Sequence, residues 1–221
     1  MKLRTTVHRV RTGRDEYRVV SATAGEGLAV LYDGPWEMQL YADRAGARDL
    51  AAAWALAARS PRSLIHLPLR ADAGSPGLEG QEAVPLDLVL LHHSLGFPPS
   101  RWKEVRARLG RGVPHTADIP ESDFPAEDEI DHERRHFAGW RDELHFAGAA
   151  RTLFLTGSAE AFRRTGTSVR SLDTEAAAVL ARWPNRSHYC VTLTHGSGNR
   201  PGRAPKGGVP GQLHIEYVQE R

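Results

Sequence analysis

The sequence contains very little sulfur, with one cysteine and two methionines among 221 residues. A single cysteine, Cys190, excludes a disulfide within the chain, and this composition is typical of proteins in reducing compartments. The first eighteen residues include no apolar stretch like that of a signal peptide, and no run is long enough to cross a bilayer. We therefore expect a soluble, cytoplasmic protein that has no membrane partner.

An excess of charge of one sign is also lacking. The chain has 29 basic and 27 acidic residues, for a formal net charge of +2. Proteins that bind nucleic acids generally have a broadly basic surface, so we do not expect general nucleic-acid binding, and any basic site must be local. With 40% hydrophobic and 25% charged residues, the composition is that of a globular protein that buries a full core.

Residues 1–75 are predicted to form an N-terminal β-rich subdomain with one helix. Alternating apolar residues predict antiparallel strands, and the alanine-rich segment 44–60 has the apolar spacing of an amphipathic helix. The short strand SLIHLPL should lie at a sheet edge, because Pro68 cannot donate to a strand ladder. A Gly- and Pro-rich loop, ADAGSPGLEGQEA, then marks the internal boundary.

Residues 84–221 are predicted to form an α/β part, either as a second domain or within a single domain. The segment LDLVLLH is apolar on both faces, which predicts an internal strand. TLFLTGS predicts another strand, SHYCVTLTH and GQLHIEYV predict a strand pair, and RGVPHTADIPESDFPAEDE is expected to be irregular. The expected fold class is α+β, with a mixed β-sheet, flanking helices and N-terminal antiparallel strands.

One short motif has the spacing of a zinc peptidase. The stretch DHERRHFAGWRD contains HExxHxxGxxD, with His132, Glu133, His136, Gly139 and Asp142 in the motif positions. On an α-helix the two histidines lie one turn apart and can ligate zinc through ring nitrogens, while the glutamate acts as general base on the bound water. Zinc bound by His132, His136 and Asp142, with Glu133 as base, is therefore one hypothesis.

This stretch resembles the zinc-binding helix of the metzincin peptidases, in the form that has Asp as third ligand. The resemblance implies a zinc-dependent hydrolase on a helix spanning residues 131–145. Metzincins have a methionine turn downstream of the helix, whereas both methionines of this chain, Met1 and Met38, lie upstream. The alternative is a solvated charged helix, whose acidic and basic side chains pair one turn apart.

A second candidate site lies at the ends of predicted strands. LVLLHHS, TLFLTGS and VTLTHGSG each end in polar residues, and α/β sheets bind ligands at the carboxyl ends of their strands. Since neighbouring residues of a strand point to opposite faces, we expect His195 and one of His92 or His93 to face a common cleft. Imidazoles suit paired acid–base work near neutral pH, so we expect these histidines to be catalytic.

The loop after His195 is rich in glycine and contains basic residues but no acidic one. Its sequence is GSGNRPGRAPKGGVPG, and its basic residues are Arg200, Arg203 and Lys206. Glycines let backbone N–H groups turn toward an anion, and the basic side chains add positive charge. We expect this loop to cover the cleft and to bind a small anionic substrate or a nucleotide. The alternative is a hairpin loop with solvated charges.

His92-x-Ser94 and His195-x-Ser197 resemble the paired H-x-S/T motifs of the two-histidine phosphoesterases. The resemblance implies that one histidine deprotonates the attacking group and the other protonates the leaving group. It also implies that Ser94 and Ser197 hold phosphate oxygens, and we expect Thr156 to add a third hydroxyl. The residue after the second motif is a glycine, where that family has an apolar residue.

Three classes of function remain open. The first is a small intracellular hydrolase or phosphoester- or nucleotide-processing enzyme that uses the strand-end histidines and no cofactor. The second is a zinc-dependent hydrolase built on residues 131–145. The third is a non-catalytic module that binds an anion or a partner through the basic loop. Cys190 is expected to be a small packing residue on a strand face.

Overall fold

The computed structural model describes residues 1–23, 25, 27–34, 37–72, 83–137, 139–196 and 205–219, leaving aside the side chains of residues 71, 72, 135 and 136. The described residues include eleven strands and four α-helices. The strands are β1 (Lys2–Thr12), β2 (Asp15–Ala22), β3 (Ala29–Asp33), β4 (Met38–Ala42), β5 (Ser63–Leu67), β6 (Val84–His92), β7 (Val113–Asp118), β8 (His145–Ala149), β9 (Thr152–Gly157), β10 (Tyr189–Thr194) and β11 (Gln212–Tyr217). The helices are α1 (Arg44–Arg59), α2 (Trp102–Ala107), α3 (Ala159–Thr174) and α4 (Ala176–Arg182). None of the helices in these ranges has both the length and the apolar character needed to cross a membrane.

The strands form one mixed sheet, which confirms the predicted α+β fold. Nine strands follow the order β10-β11-β4-β3-β6-β5-β2-β1-β7, while β9 pairs with β6 and β8 with β9. The N-terminal pairs β1–β2 and β3–β4 are antiparallel as expected, whereas β2–β5, β4–β11 and β6–β9 are parallel. Strands from residues 1–75 and 84–221 thus bond to each other, and most of the predicted boundary between these parts lies outside the described residues.

One face of the sheet is covered by α1, α3 and α4, which bury the main core. Trp54 of α1 and Phe162 of α3 are both fully buried there. The Asp43 carboxylate caps α1 by accepting the backbone N–H of Gly46 at 2.8 Å and that of Leu28 at 2.7 Å. Glycine is required at position 46, because a Cβ there would overlap the carbonyl oxygen of Leu28.

The opposite face is covered by α2 over β5, β6 and β9. Trp102, at the start of α2, is fully buried, and its ring meets Phe154 edge-on at 6.0 Å and Phe97 at 6.4 Å. The indole Nε1 donates to the Thr152 hydroxyl at 3.0 Å, so the polar edge of the tryptophan is satisfied inside the core. A second, smaller core therefore lies beneath α2.

The positions of β6, β5 and β7 can be compared directly with the predictions made from the sequence. β6 pairs with β3, β5 and β9, which confirms that LDLVLLH is internal. The edge position predicted for β5 is wrong, because this strand lies between β2 and β6; Pro68 follows its last residue, so the missing N–H falls outside the ladder. Residues 113–118, expected to be irregular, form β7, which pairs with β1. Five of these six residues are exposed, so the strand has no alternation of apolar and polar residues that would predict it.

Candidate functional site

The first histidine of the strand-end pair is held by the turn that follows it. β6 ends at His92, and a 3₁₀ segment, His93–Leu95, begins at once. The His92 Nδ1 accepts the backbone N–H of Ser94 at 3.1 Å and lies 2.7 Å from the Ser94 hydroxyl. The exposed His93 ring lies 4.4 Å from the His92 ring, centroid to centroid. His92 thus has a local capping role, while His93 faces solvent.

The second histidine, His195, is oriented by the backbone of β8. Its Nδ1 accepts the Phe146 N–H at 2.8 Å, and its ring centroid lies 5.4 Å from that of His145. Because Nδ1 accepts a hydrogen bond, the neutral His195 ring carries its proton on Nε2. His195 therefore donates hydrogen bonds through Nε2 in this state.

His145 joins these histidines, and it was not predicted as a site residue because residues 131–145 were expected to be helical. It opens β8 and pairs with Thr156 of β9, which in turn pairs with Leu91 of β6. The three strands thus bring His145, the Thr156 hydroxyl and the chain leading to His92 and His93 to one end of the sheet.

The electrostatics link the histidines from the three strand ends. Burial lowers the pKa of His145, and the charges of His195 and, more weakly, His93 lower it further, against an opposing effect of Glu143. Burial and the neighbouring His93 also lower the pKa of His92. His145 is therefore neutral at pH 7, and it interacts electrostatically with the histidine from each of the other two segments.

The basic loop is described only at its ends. Ser197, Arg200 and Arg203 lie outside the described residues. Lys206 has an exposed side chain, and its backbone N–H donates to the Phe146 carbonyl at 3.3 Å. The N–H of Phe146 donates to His195, which precedes the loop, and the Phe146 carbonyl accepts from Lys206, which follows residues 197–204. Phe146 therefore binds the chain on both sides of these residues. Lys206 therefore returns beside the histidines.

The helix predicted for residues 131–145 is wrong. The structure has a five-residue 3₁₀ segment, His132–His136, and then β8 from residue 145. The Asp131 carboxylate accepts the N–H groups of Glu133 and Arg134 at 3.0 and 3.2 Å, so this side chain satisfies backbone groups in a short turn. A 3₁₀ segment has about three residues per turn, which removes the one-turn separation that zinc ligation on an α-helix requires.

The proposed zinc ligands of this segment have other partners. His132 Nε2 lies 2.8 Å from the Glu127 carboxylate, and both side chains are largely exposed. The Asp142 carboxylate accepts the Ser158 hydroxyl at 2.6 Å, and Ser158 caps α3. Glu133 is exposed, and the side chain of His136 is outside the described part of the chain. The segment therefore brings no described set of ligands together.

Within the described ranges, one group of metal-ligating side chains does come together, and it consists of His188, Cys190 and His214. This group was not predicted from the sequence, although the strand pair that carries it was. His188 and Cys190 are two residues apart, which places them on one face, but His214 joins them only through the register of the pair. Cys190, which was expected to be a small packing residue, is half-buried on this face.

Comparisons of the chain with protein-family models, with curated proteins and with solved structures find no match, so the interpretation of the strand-end site depends on its own residues.

Proposed function

We propose that the protein is a small intracellular hydrolase that acts on phosphoesters or nucleotides through the strand-end histidines. The observation that supports this most strongly is geometric: the rings of His145 and His195, which come from separate segments, lie 5.4 Å apart, centroid to centroid. The imidazoles of His145, His195 and His93 interact electrostatically, so they can hold different protonation states at neutral pH. Acid–base catalysis requires such a difference.

Each histidine has its own role in the proposed hydrolysis. Neutral His145 accepts a proton from the attacking water, whose oxygen forms a bond to phosphorus. The bond from phosphorus to the leaving oxygen breaks, and His93, in its protonated form, gives that oxygen its proton. His195 donates a hydrogen bond from Nε2 to a phosphoryl oxygen, where negative charge accumulates. His92 positions the turn that presents His93.

The substrate is expected to be a small anion held beside these rings. Lys206 supplies positive charge next to Phe146, and Arg200 and Arg203 are proposed to add to it. Hydroxyl groups of Ser94 and Thr156, with that of Ser197, are proposed to orient the phosphoryl oxygens.

The test is a kinetic comparison of matched histidine variants. Wild type, His145→Gln and His115→Gln are assayed on p-nitrophenyl phosphate, bis(p-nitrophenyl) phosphate and a 2′,3′-cyclic nucleotide. His115 is exposed on β7, so it serves as the control. We expect kcat to fall by about 10²–10⁴-fold in His145→Gln, as for loss of a general base, and to stay unchanged in the control.

The variant Lys206→Ala distinguishes an effect on substrate binding from an effect on the chemical step. We expect Lys206→Ala to raise KM while leaving kcat within a few-fold. If no substrate is turned over but a nucleotide binds and Lys206→Ala abolishes that binding, the protein is a non-catalytic anion-binding module and the proposal is wrong. If neither turnover nor binding occurs, the strand-end assignment is also wrong.

A further inference from the structure

The strands β4, β11 and β10 present a polar surface on the side opposite the main core. Along β10 and β11 this surface includes His188, Cys190, His214 and Glu216. The ligand atoms of His188, Cys190 and His214 all lie within 4.8 Å of one another. The three side chains are half-buried, so a ligand bound between them would be partly shielded from water.

Strand register brings these side chains together. Cys190 pairs with Glu216, and Thr192 pairs with His214, so all four side chains are on one face. The alternate residues Leu193 and Ile215 are buried in the main core. A slip of one residue would expose that apolar set, so the core on the reverse side fixes the positions of the histidine and the thiol.

Both histidine rings have a hydroxyl partner at Nδ1. The Ser187 hydroxyl lies 2.9 Å from Nδ1 of His188, and the Thr192 hydroxyl lies 3.4 Å from Nδ1 of His214. This arrangement leaves Nε2 of each ring as the ligand atom. Histidines that bind metals commonly have such an outer hydrogen bond, which fixes the tautomer and the ring orientation.

We propose that His188, Cys190 and His214 bind one Zn²⁺ ion through Nε2, Sγ and Nε2. Zinc prefers nitrogen and sulfur ligands in a tetrahedral arrangement, with distances of about 2.0–2.1 Å to nitrogen and about 2.3 Å to sulfur. Two histidines and one thiolate supply three of the four ligands.

Glu216 or a water molecule can supply the fourth ligand of the zinc ion. The Glu216 carboxylate lies 3.9 Å from Nε2 of His214, on the same face. Beside the site, an open cavity of about 730 Å³ is lined by residues that include Arg186, His188 and Glu216. The ion would also join β10, at the end of the strand order, to β11. It therefore stabilises the strand pair and remains accessible to a small ligand.

The proposal is tested by metal titration of protein purified without a histidine tag and stripped by a chelator. Zn²⁺ binding is followed by competition with a chelating dye, and Co²⁺ binding by absorption. We expect one equivalent of Zn²⁺, and a thiolate-to-cobalt charge-transfer band together with the d–d bands of a tetrahedral site.

Variants localise the ion. Cys190→Ser should abolish the charge-transfer band, and His214→Gln should weaken Zn²⁺ binding at least tenfold. Thr192→Val removes only the outer partner of His214 and should weaken binding about tenfold or more. His115→Gln is the control and should bind as wild type does. Circular dichroism of each variant checks that the fold is retained.

The proposal is overturned if the wild type takes up no stoichiometric zinc, or if Cys190→Ser binds it with unchanged affinity. Zinc that is lost on His132→Gln but kept in Cys190→Ser and His214→Gln would assign the ion to residues 131–145 instead. Neither result changes the kinetic test of the strand-end histidines, because that reaction uses different residues.

Discussion

The face of the sheet opposite the main core has two halves, and the polar side chains are buried in one half and half-buried in the other. Under α2, Asp87 of β6 is 2% exposed and lies 2.9 Å from Arg70 Nη2 and 3.2 Å from Arg106 Nη1. Over β4, β10 and β11 no helix within the described residues covers the face, and His214 and Cys190 are half-buried. In the first half polar groups bond one segment to another, whereas in the second half they face solvent.

This difference follows from what each half must satisfy. A buried carboxylate costs free energy unless it is paired, so Asp87 requires its arginines. Burial alone would raise the pKa of Asp87, but interactions with His66 and Arg70 hold it below its ordinary value. Half-buried histidine and cysteine side chains keep access to water, so they do not require a buried partner.

The largest effect is expected in the covered half. Asp87→Ala should lower the free energy of unfolding by about 3–5 kcal/mol, because it leaves charged neighbours without their partner in a buried site. Urea unfolding measures the change. Glu104→Ala, which removes an exposed ion pair with Arg108 on the same face, is the control and should cost about 0.3–0.5 kcal/mol. Equal losses in the two variants would contradict the role given to the buried carboxylate.

A smaller effect is expected at the margin of the covered half, where His145 lies. The lowered pKa of His145 means that the unfolded chain binds more protons than the folded one between that pKa and about 6.5. Stability should therefore decrease as the pH falls through this window and be fully present above it. His145→Gln should flatten, but not remove, this slope in thermal unfolding, because the pKa values of His8 and His92 are lowered too. An unchanged slope would count against the role assigned to His145.

The smallest effect is expected in the uncovered half. Without added metal, Cys190→Ala should change the free energy of unfolding by no more than about 0.5 kcal/mol, because the side chain is half-buried on a polar face. Zn²⁺ should raise the melting temperature of the wild type but not of this variant. A loss of several kcal/mol in the metal-free variant would show that Cys190 is a core residue after all.

Apolar patterns predicted several of the strands that are buried on one or both faces. β6 and the β10–β11 pair were predicted from such patterns, because burial imposes them on the sequence. β7 was missed because its exposed residues have no pattern to read. The helix over residues 131–145 was wrong because its charged spacing fitted an α-helix, while Asp131 instead stabilises a short 3₁₀ turn.

The candidate sites were only partly predictable for a different reason. His93 and His195 stand at strand ends, and that position can be read from the sequence. His145 could not be found while its segment was assigned to a helix. His214 could not be matched with Cys190, because the long connection between their strands does not determine the register.

The double attachment at Phe146 has a consequence for engineering. One residue, Phe146, binds the His195 ring through its N–H and the Lys206 backbone through its carbonyl, so the two anchor points keep a fixed separation whatever joins them. The connection between Gly196 and Pro205 should accept replacement segments of similar length, much as an antibody framework accepts different loops. A library of such grafts would vary the segment beside His145 and His195 while these two side chains keep their geometry.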